Sequence, residues 1–190
     1  MTAIDVAAGF VGATAEHLGS RGIRYTVASG MLLPFAARVF DFAAAFMSLM
    51  DLGAPERALP EIARVLRRGG FLQFSILHPC FSPPHRRLVR DRRGAPCAIE
   101  VGRYFDRTDG EIDRWLFSAA PPEAKAGLAP FETPLFHRTL ADWLNAIAAA
   151  RFRVEHCVEP MADLATAARV RELADTRIAP NFLLMRRRLR

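Results

Sequence analysis

Lysine is nearly absent: of 26 basic residues, Lys125 is the single one that is not arginine. That skew, beside heavy alanine use, reads as a coding bias and not as a phosphate-binding surface; the net charge of +6 bears on solubility and partners, not on fold. Cysteine is scarce as well, with Cys80, Cys97 and Cys157 and no Cys-x-x-Cys pair. An odd number without that pairing excludes a disulfide framework and a zinc ribbon, and fits a reducing cytoplasm. The longest apolar run, residues 42–50 between Asp41 and Asp51, is far short of the roughly 20 residues that span a bilayer. Residues 1–5 have neither a positive n-region nor an apolar h-region, so no secretory leader is expected. Against these absences stand 14 Phe and a hydrophobic share of 51% over 190 residues, enough for a core and too much for disorder. The expectation is a soluble, cytoplasmic protein of one domain, residues 1–190.

The chain opens strand, helix, strand. Residues 1–6 are short and apolar and contain Asp5; Phe10, Val11, Thr14 and Leu18 then recur at helical spacing, with Gly19 and Gly22 closing the helix. Residues 23–27 alternate as a strand. Residues 40–46 are an apolar run suited to burial in a parallel sheet. Pro55 opens a helix whose Leu59, Ile62, Ala63 and Leu66 share one face. Arg64, Arg67 and Arg68 are expected in its last turns, with Gly69 as the left-handed end. Residues 71–77 read as another buried strand, so the alternation argues for an α/β fold.

From Pro79 to Pro134 eight prolines break this rhythm. Within the segment, residues 99–106 and 112–118 are strand-like and joined by Thr108-Asp109-Gly110, which predicts a hairpin. Residues 79–135 therefore read as an insertion, a lid or substrate region, because ligands of α/β folds bind at the carboxyl ends of the strands. Thr139 and Asp142 form a capping-box pattern before a helix carrying Trp143, Leu144, Ile147 and Ala148. A strand over 152–158, a helical stretch over 161–174, a strand over 181–185 and an arginine tail complete the chain.

Leu33-Pro34-Phe35, then Phe40-Asp41 opening a strand, then Glu61-x-x-Arg64-Val65-Leu66 with Gly69-Gly70 before the next strand, resemble the class I S-adenosylmethionine-dependent methyltransferases. Arg68 stands where the family pattern has proline. The segments at 77–81, 136–139 and 150–160 resemble a small-molecule branch of that family. The resemblance implies a Rossmann-like α/β fold, mostly parallel with an antiparallel last strand, in the order 3-2-1-4-5-7-6. It implies S-adenosyl-L-methionine as cofactor, a small-molecule acceptor, and no nucleic-acid or membrane partner; oligomeric state stays open.

The resemblance also implies a first strand, a glycine-rich loop and a helix that these residues do not contain, about 20 to 30 residues by typical element lengths. Gly9-x-x-Gly12 falls inside the predicted first helix and is not that loop. Cofactor binding is expected to be weakened or lost, and the strands at 1–6 and 40–46 are expected to flank a gap or pair with each other. A truncated gene model or fragment of a normal enzyme is the first explanation, a pseudoenzyme the second. A non-catalytic binding or partner protein, RNA-binding through its arginines, is the alternative of a different class.

Carried over by position, Asp5 matches the ribose ligand, Ser29-Gly30 the adenine-side pair, and Phe46 and Met47 the pocket lining. Each has a plainer reading: a turn carboxylate for Asp5, core packing for Phe46. Methyl transfer needs chiefly proximity and alignment, with a base where the acceptor loses a proton. His78 is the candidate base or substrate ligand, or else a turn histidine before Pro79. Phe81 and His137 are further substrate candidates. Tyr104, Phe105, Trp115 and Phe117 form either an apolar lid or hairpin packing. His78, Cys80, His85 and Cys97 match no usual zinc spacing, so no metal is expected. Arg86, Arg87, Arg90, Arg92 and Arg93 read as a solvated lid surface.

Overall fold

The computed structural model describes residues 1–18, 22–115, 123, 127 and 129–189. Strand β1 (Thr2–Asp5), helix α1 (Ala8–Leu18) and β2 (Arg24–Val27) come first, and β1 and β2 pair in parallel. Next come β3 (Phe40–Phe46), the 3-10 turn Leu49–Asp51, α2 (Pro55–Val65) and β4 (Leu66–Leu77). The segment after β4 holds β5 (His85–Arg90), β6 (Pro96–Gly102), β7 (Glu111–Trp115) and β8 (Phe131–Leu135). Helix α3 (Leu140–Ala149), β9 (Phe152–Val158), α4 (Leu164–Arg169), α5 (Arg171–Ala174) and β10 (Phe182–Leu189) follow.

The main sheet runs β3-β4-β10-β9, with β3 and β4 parallel and β10 antiparallel to both neighbours. Its core face buries Leu66, Leu72, Phe74, Ile76, Leu183 and Met185 against Leu59, Ile62 and Val65 of α2 and Trp143 and Ile147 of α3. The helices form where the periodicity places them: α2 has Pro55 in its first turn, and Thr139 and Asp142 close a full capping box on α3.

The expected mostly parallel sheet is corrected to a mixed one. The described strands fall into one four-stranded and three two-stranded sheets, and β1 and β3 do not pair with each other. The expected 99–106/112–118 hairpin does not form: β6 pairs with β5 and β7 with β8, both antiparallel. The β5–β6 turn is built by Asp91, whose carboxylate accepts the N–H groups of Arg93 and Ala95, and by Gly94 at φ 78°. Phe117 and Gly19 lie outside the described residues. Helix α2 ends at Val65, so Arg67 and Arg68 belong to β4, where Arg67 pairs with Asp41 at 2.6 Å. Gly70 is needed there, because a Cβ would meet the carbonyl oxygens of Arg67 and Asp41 at 2.9 Å. The 161–174 helix is two helices divided at Val170, extended at φ −117°. The arginine tail is part of β10, pairing as far as Leu189.

Candidate functional site

The residues expected to meet a cofactor lie at or just past the carboxyl ends of β1, β2 and β3, strands that fall in two separate sheets. Asp5 ends β1 opposite Val27, and its main-chain oxygen accepts the Ala28 N–H at 2.9 Å. One carboxylate oxygen accepts the Ala7 N–H at 2.7 Å, which fixes the turn into α1 and leaves the other oxygen toward solvent. Two residues past β2, Ser29 bridges to Leu32 and its hydroxyl accepts the Met31 N–H at 3.2 Å. A Cβ at Gly30 would have just Leu52 within reach, at 3.8 Å, so the backbone there is approachable. Phe46 is 55% exposed at the end of β3. Met47 follows at φ 48°, a left-handed conformation rare for a non-glycine residue, and its N–H donates to the Ser75 main chain at 2.9 Å and hydroxyl at 3.2 Å.

Below this edge, α2 grips the turn that precedes β3. Glu61 accepts the Leu33 N–H at 2.9 Å, while Arg64 donates to the carbonyls of Phe35 at 2.7 Å and Leu33 at 2.9 Å. Arg64 and Glu61 also bond each other at 2.7 and 2.8 Å. That hydrogen bond from Arg64 holds the Glu61 carboxyl at about 2, against burial, which opposes it. The Leu-Pro-Phe and Glu-x-x-Arg motifs are thus two halves of one clamp. Sequence spacing shows them as separate signals.

A second cluster lies beyond β4. His78 is buried; its Nε2 meets Glu159 at 2.9 Å and its Nδ1 accepts the Cys80 N–H at 3.2 Å. Since a backbone N–H can only donate, Nδ1 carries no proton and Nε2–H donates to the carboxylate. The ring also packs on Phe81 at 4.9 Å. The Cys80 thiol donates to the Tyr104 hydroxyl at 3.9 Å, which also accepts the first N–H of α3, from Leu140, at 2.9 Å. Burial pushes the Tyr104 phenol above its ordinary range, with the Leu140 N–H opposing. His137, also buried, donates from Nε2 to the Tyr104 carbonyl at 2.8 Å, and its N–H reaches Thr108 Oγ1 at 2.6 Å.

His78, Phe81, Tyr104 and His137 therefore join in one bonded cluster. Trp115 does not: it sits opposite Phe131 at the far end of the β7–β8 ribbon, donates to Thr133 at 2.9 Å and stacks on Phe131 at 5.0 Å. Phe105 is 84% exposed. Sequence reasoning did not single out Glu159 or Arg138. Glu159 was signalled by its position just past a strand's carboxyl end. Arg138 donates to the carbonyls of Gly53, Leu52 and Phe136, tying the turn after β3 to the start of α3; no spacing announces such a contact. Among the described residues no group of three or more His, Cys, Asp or Glu is placed to hold a metal ion, and no helix is long and apolar enough to cross a membrane.

Residues 1–74 match the family model of the methyltransferase domain. Over 98% of its length the chain superposes on 79% of an S-adenosylmethionine-dependent methyltransferase from Mesorhizobium loti, with TM-score 0.75 and 23% identity. A Listeria monocytogenes protein assigned to the same class gives TM-score 0.75 at 17% identity, covering 100% of this chain and 79% of that one. The 1,6-didemethyltoxoflavin-N1-methyltransferase of Burkholderia thailandensis, solved with that compound and S-adenosylhomocysteine, gives 0.50 at 16% identity over 99% of this chain and 60% of that one. No curated protein matches. These superpositions show that the chain has the fold of the S-adenosylmethionine-dependent methyltransferases it resembles, with the family-model match confined to residues 1–74.

Proposed function

We propose that this chain is the larger part of an S-adenosylmethionine-dependent methyltransferase for a small-molecule acceptor, with a cofactor site formed on its adenosine side. What supports this reading is the placement of Asp5, Ser29, Gly30, Phe46 and Met47 at or just past the carboxyl ends of β1, β2 and β3. Asp5 keeps one carboxylate oxygen for a vicinal diol, a charge-assisted acceptor suited to ribose. Gly30 leaves backbone approachable for a flat ring, and Phe46 and Met47 offer apolar contact beside it.

Bound S-adenosylmethionine would supply an electrophilic methyl group on a sulfonium. The chain's own part is then to orient. His78, with both nitrogens engaged, serves as a positioning residue that fixes the turn carrying Cys80 and Phe81. Tyr104, Phe81 and His137 border the acceptor, and residues 79–135 serve as its cover. The described residues offer no glycine-rich turn for the methionine half, so affinity for the whole cofactor is low.

Calorimetric titration with adenosine and with S-adenosylhomocysteine tests this. Dissociation constants within about threefold of each other are expected, because the methionine half makes few contacts. A preference for S-adenosylhomocysteine of about a hundredfold or more would place methionine-side contacts within these residues and refute the half-site. No binding of either would remove the reading altogether.

A further inference from the structure

Within the function proposed above, on which this rests, we propose that the acceptor is a small-molecule amine bound as its ammonium, and that Asp51 takes the proton from its nitrogen. The placement of one segment carries this. Past the end of β3 the chain makes the 3-10 turn Leu49–Asp51, anchored by Leu49, which is 4% exposed. On one side, Met50 Sδ accepts the N–H of Leu77, the residue before His78, at 3.2 Å. On another, the Leu52 side chain lies 3.8 Å from where a Cβ on Gly30 would stand. A Cβ on Gly53 would meet the ring of Phe136 at 3.5 Å, and Arg138 holds the carbonyls of Leu52 and Gly53. Residues 49–53 thus reach from Gly30, on the proposed cofactor side, to the turn of His78 and Phe81, on the proposed acceptor side. Asp51 is the one ionisable residue on that bridge.

Its carboxylate holds no part of the fold together. Among the described residues it accepts no hydrogen bond and meets no cation, and α2, which follows, has Ala54 at its N-cap without a side-chain cap. Arg138 spends its donors on the neighbouring carbonyls and lies 4.0 Å from a different carboxylate, that of Glu56. Asp51 is exposed on its outer side, where a ligand can reach it. Burial on its inner side raises its carboxyl above the ordinary 3.8. An uncompensated, partly desolvated carboxylate selects a cation: an anionic acceptor would meet like charge, and a neutral alcohol would leave the charge unpaired. In that contact an ammonium gives up its proton more readily and the carboxylate holds one more firmly. One N–H bond breaks, one O–H bond forms on Asp51, and the electron pair stays on nitrogen, which becomes the nucleophile that methyl transfer needs. The proton then leaves to solvent from the exposed side.

The test titrates benzylamine and benzyl alcohol, alike in shape and different in charge, separately into the full chain at neutral pH, followed by the amide NMR shifts. Benzylamine is expected to move the amides of Asp51, Leu52 and Gly53 and to bind about tenfold or more tighter than the alcohol, the worth of one charge-assisted hydrogen bond. Asp51→Asn keeps the shape and removes the charge, so it should keep the thermal midpoint and bring the two affinities within about twofold. Asp51→Glu keeps the charge and should keep the preference. Four results overturn the proposal: equal affinity of the two probes for the wild type, a preference that survives Asp51→Asn, shifts that leave residues 51–53 unmoved, or no binding of benzylamine. None of these measurements needs the cofactor. Binding of S-adenosylhomocysteine is read separately on the same chain, so this failure and that of the methyltransferase reading are distinguishable.

Discussion

Strands β4 and β1 are built in opposite ways. β4 lies between β3 and β10, and its Leu72, Phe74 and Ile76 are completely buried. β1 has one partner and no buried residue. The difference extends to the residues they present: His78 beyond β4 is enclosed with both ring nitrogens engaged, whereas Asp5 on β1 is exposed with a free oxygen. In the function proposed above, the well-packed strand is the fixed platform and the thinly packed one carries the proposed ligand contact. Binding residues held on lightly covered elements and braced by a rigid scaffold are a common division of labour.

The largest effect should come from the platform. Phe74→Ala is expected to cost about 3–5 kcal/mol in urea unfolding, while Ile4→Ala costs under about 1.5. Equal costs would erase the contrast. Next is an expected gain. Alternation along β10 puts Arg187 on the covered face with Leu183 and Met185, fully buried, with Nε and Nη1 unpartnered. Replacing such a charge by an apolar side chain of similar volume, Arg187→Met, should stabilise by about 1–4 kcal/mol. Thr139→Ala removes the capping box of α3 and should cost about 1 kcal/mol, read as a lower denaturation midpoint. The smallest effect is pH-dependent. Glu61, held at about 2 against an ordinary 4.5, contributes stability that is complete above 4.5 and lost as pH falls toward 2. Glu61→Gln should flatten that part of the midpoint-against-pH curve.

The alternating core was legible because each of its elements has its own period or cap: α1, β3, α3 and β9 start and stop where pattern and capping residues say. Pairing was less legible. Thr108-Asp109-Gly110 does turn, with Gly110 at φ 85°, but turn chemistry alone does not say which strands it joins, and the Asp91–Gly94 turn won β6 for β5. The final arginines read as a tail because charge masks a strand whose alternate residues are buried. Of the proposed site, the residues at the strand ends were visible in the sequence. The bracing by Glu159 and Arg138 was not, since it spans 81 and 86 positions between partners.

Titration of S-adenosylhomocysteine into the wild type, Asp5→Ala and Trp115→Ala tests the adenosine-side site most directly. Losing one charge-assisted hydrogen bond is worth about 1.5–3 kcal/mol, so Asp5→Ala should weaken binding about tenfold to a hundredfold. Trp115→Ala, at the far end of its ribbon, should bind as the wild type does. Binding that is unchanged in Asp5→Ala would contradict the site.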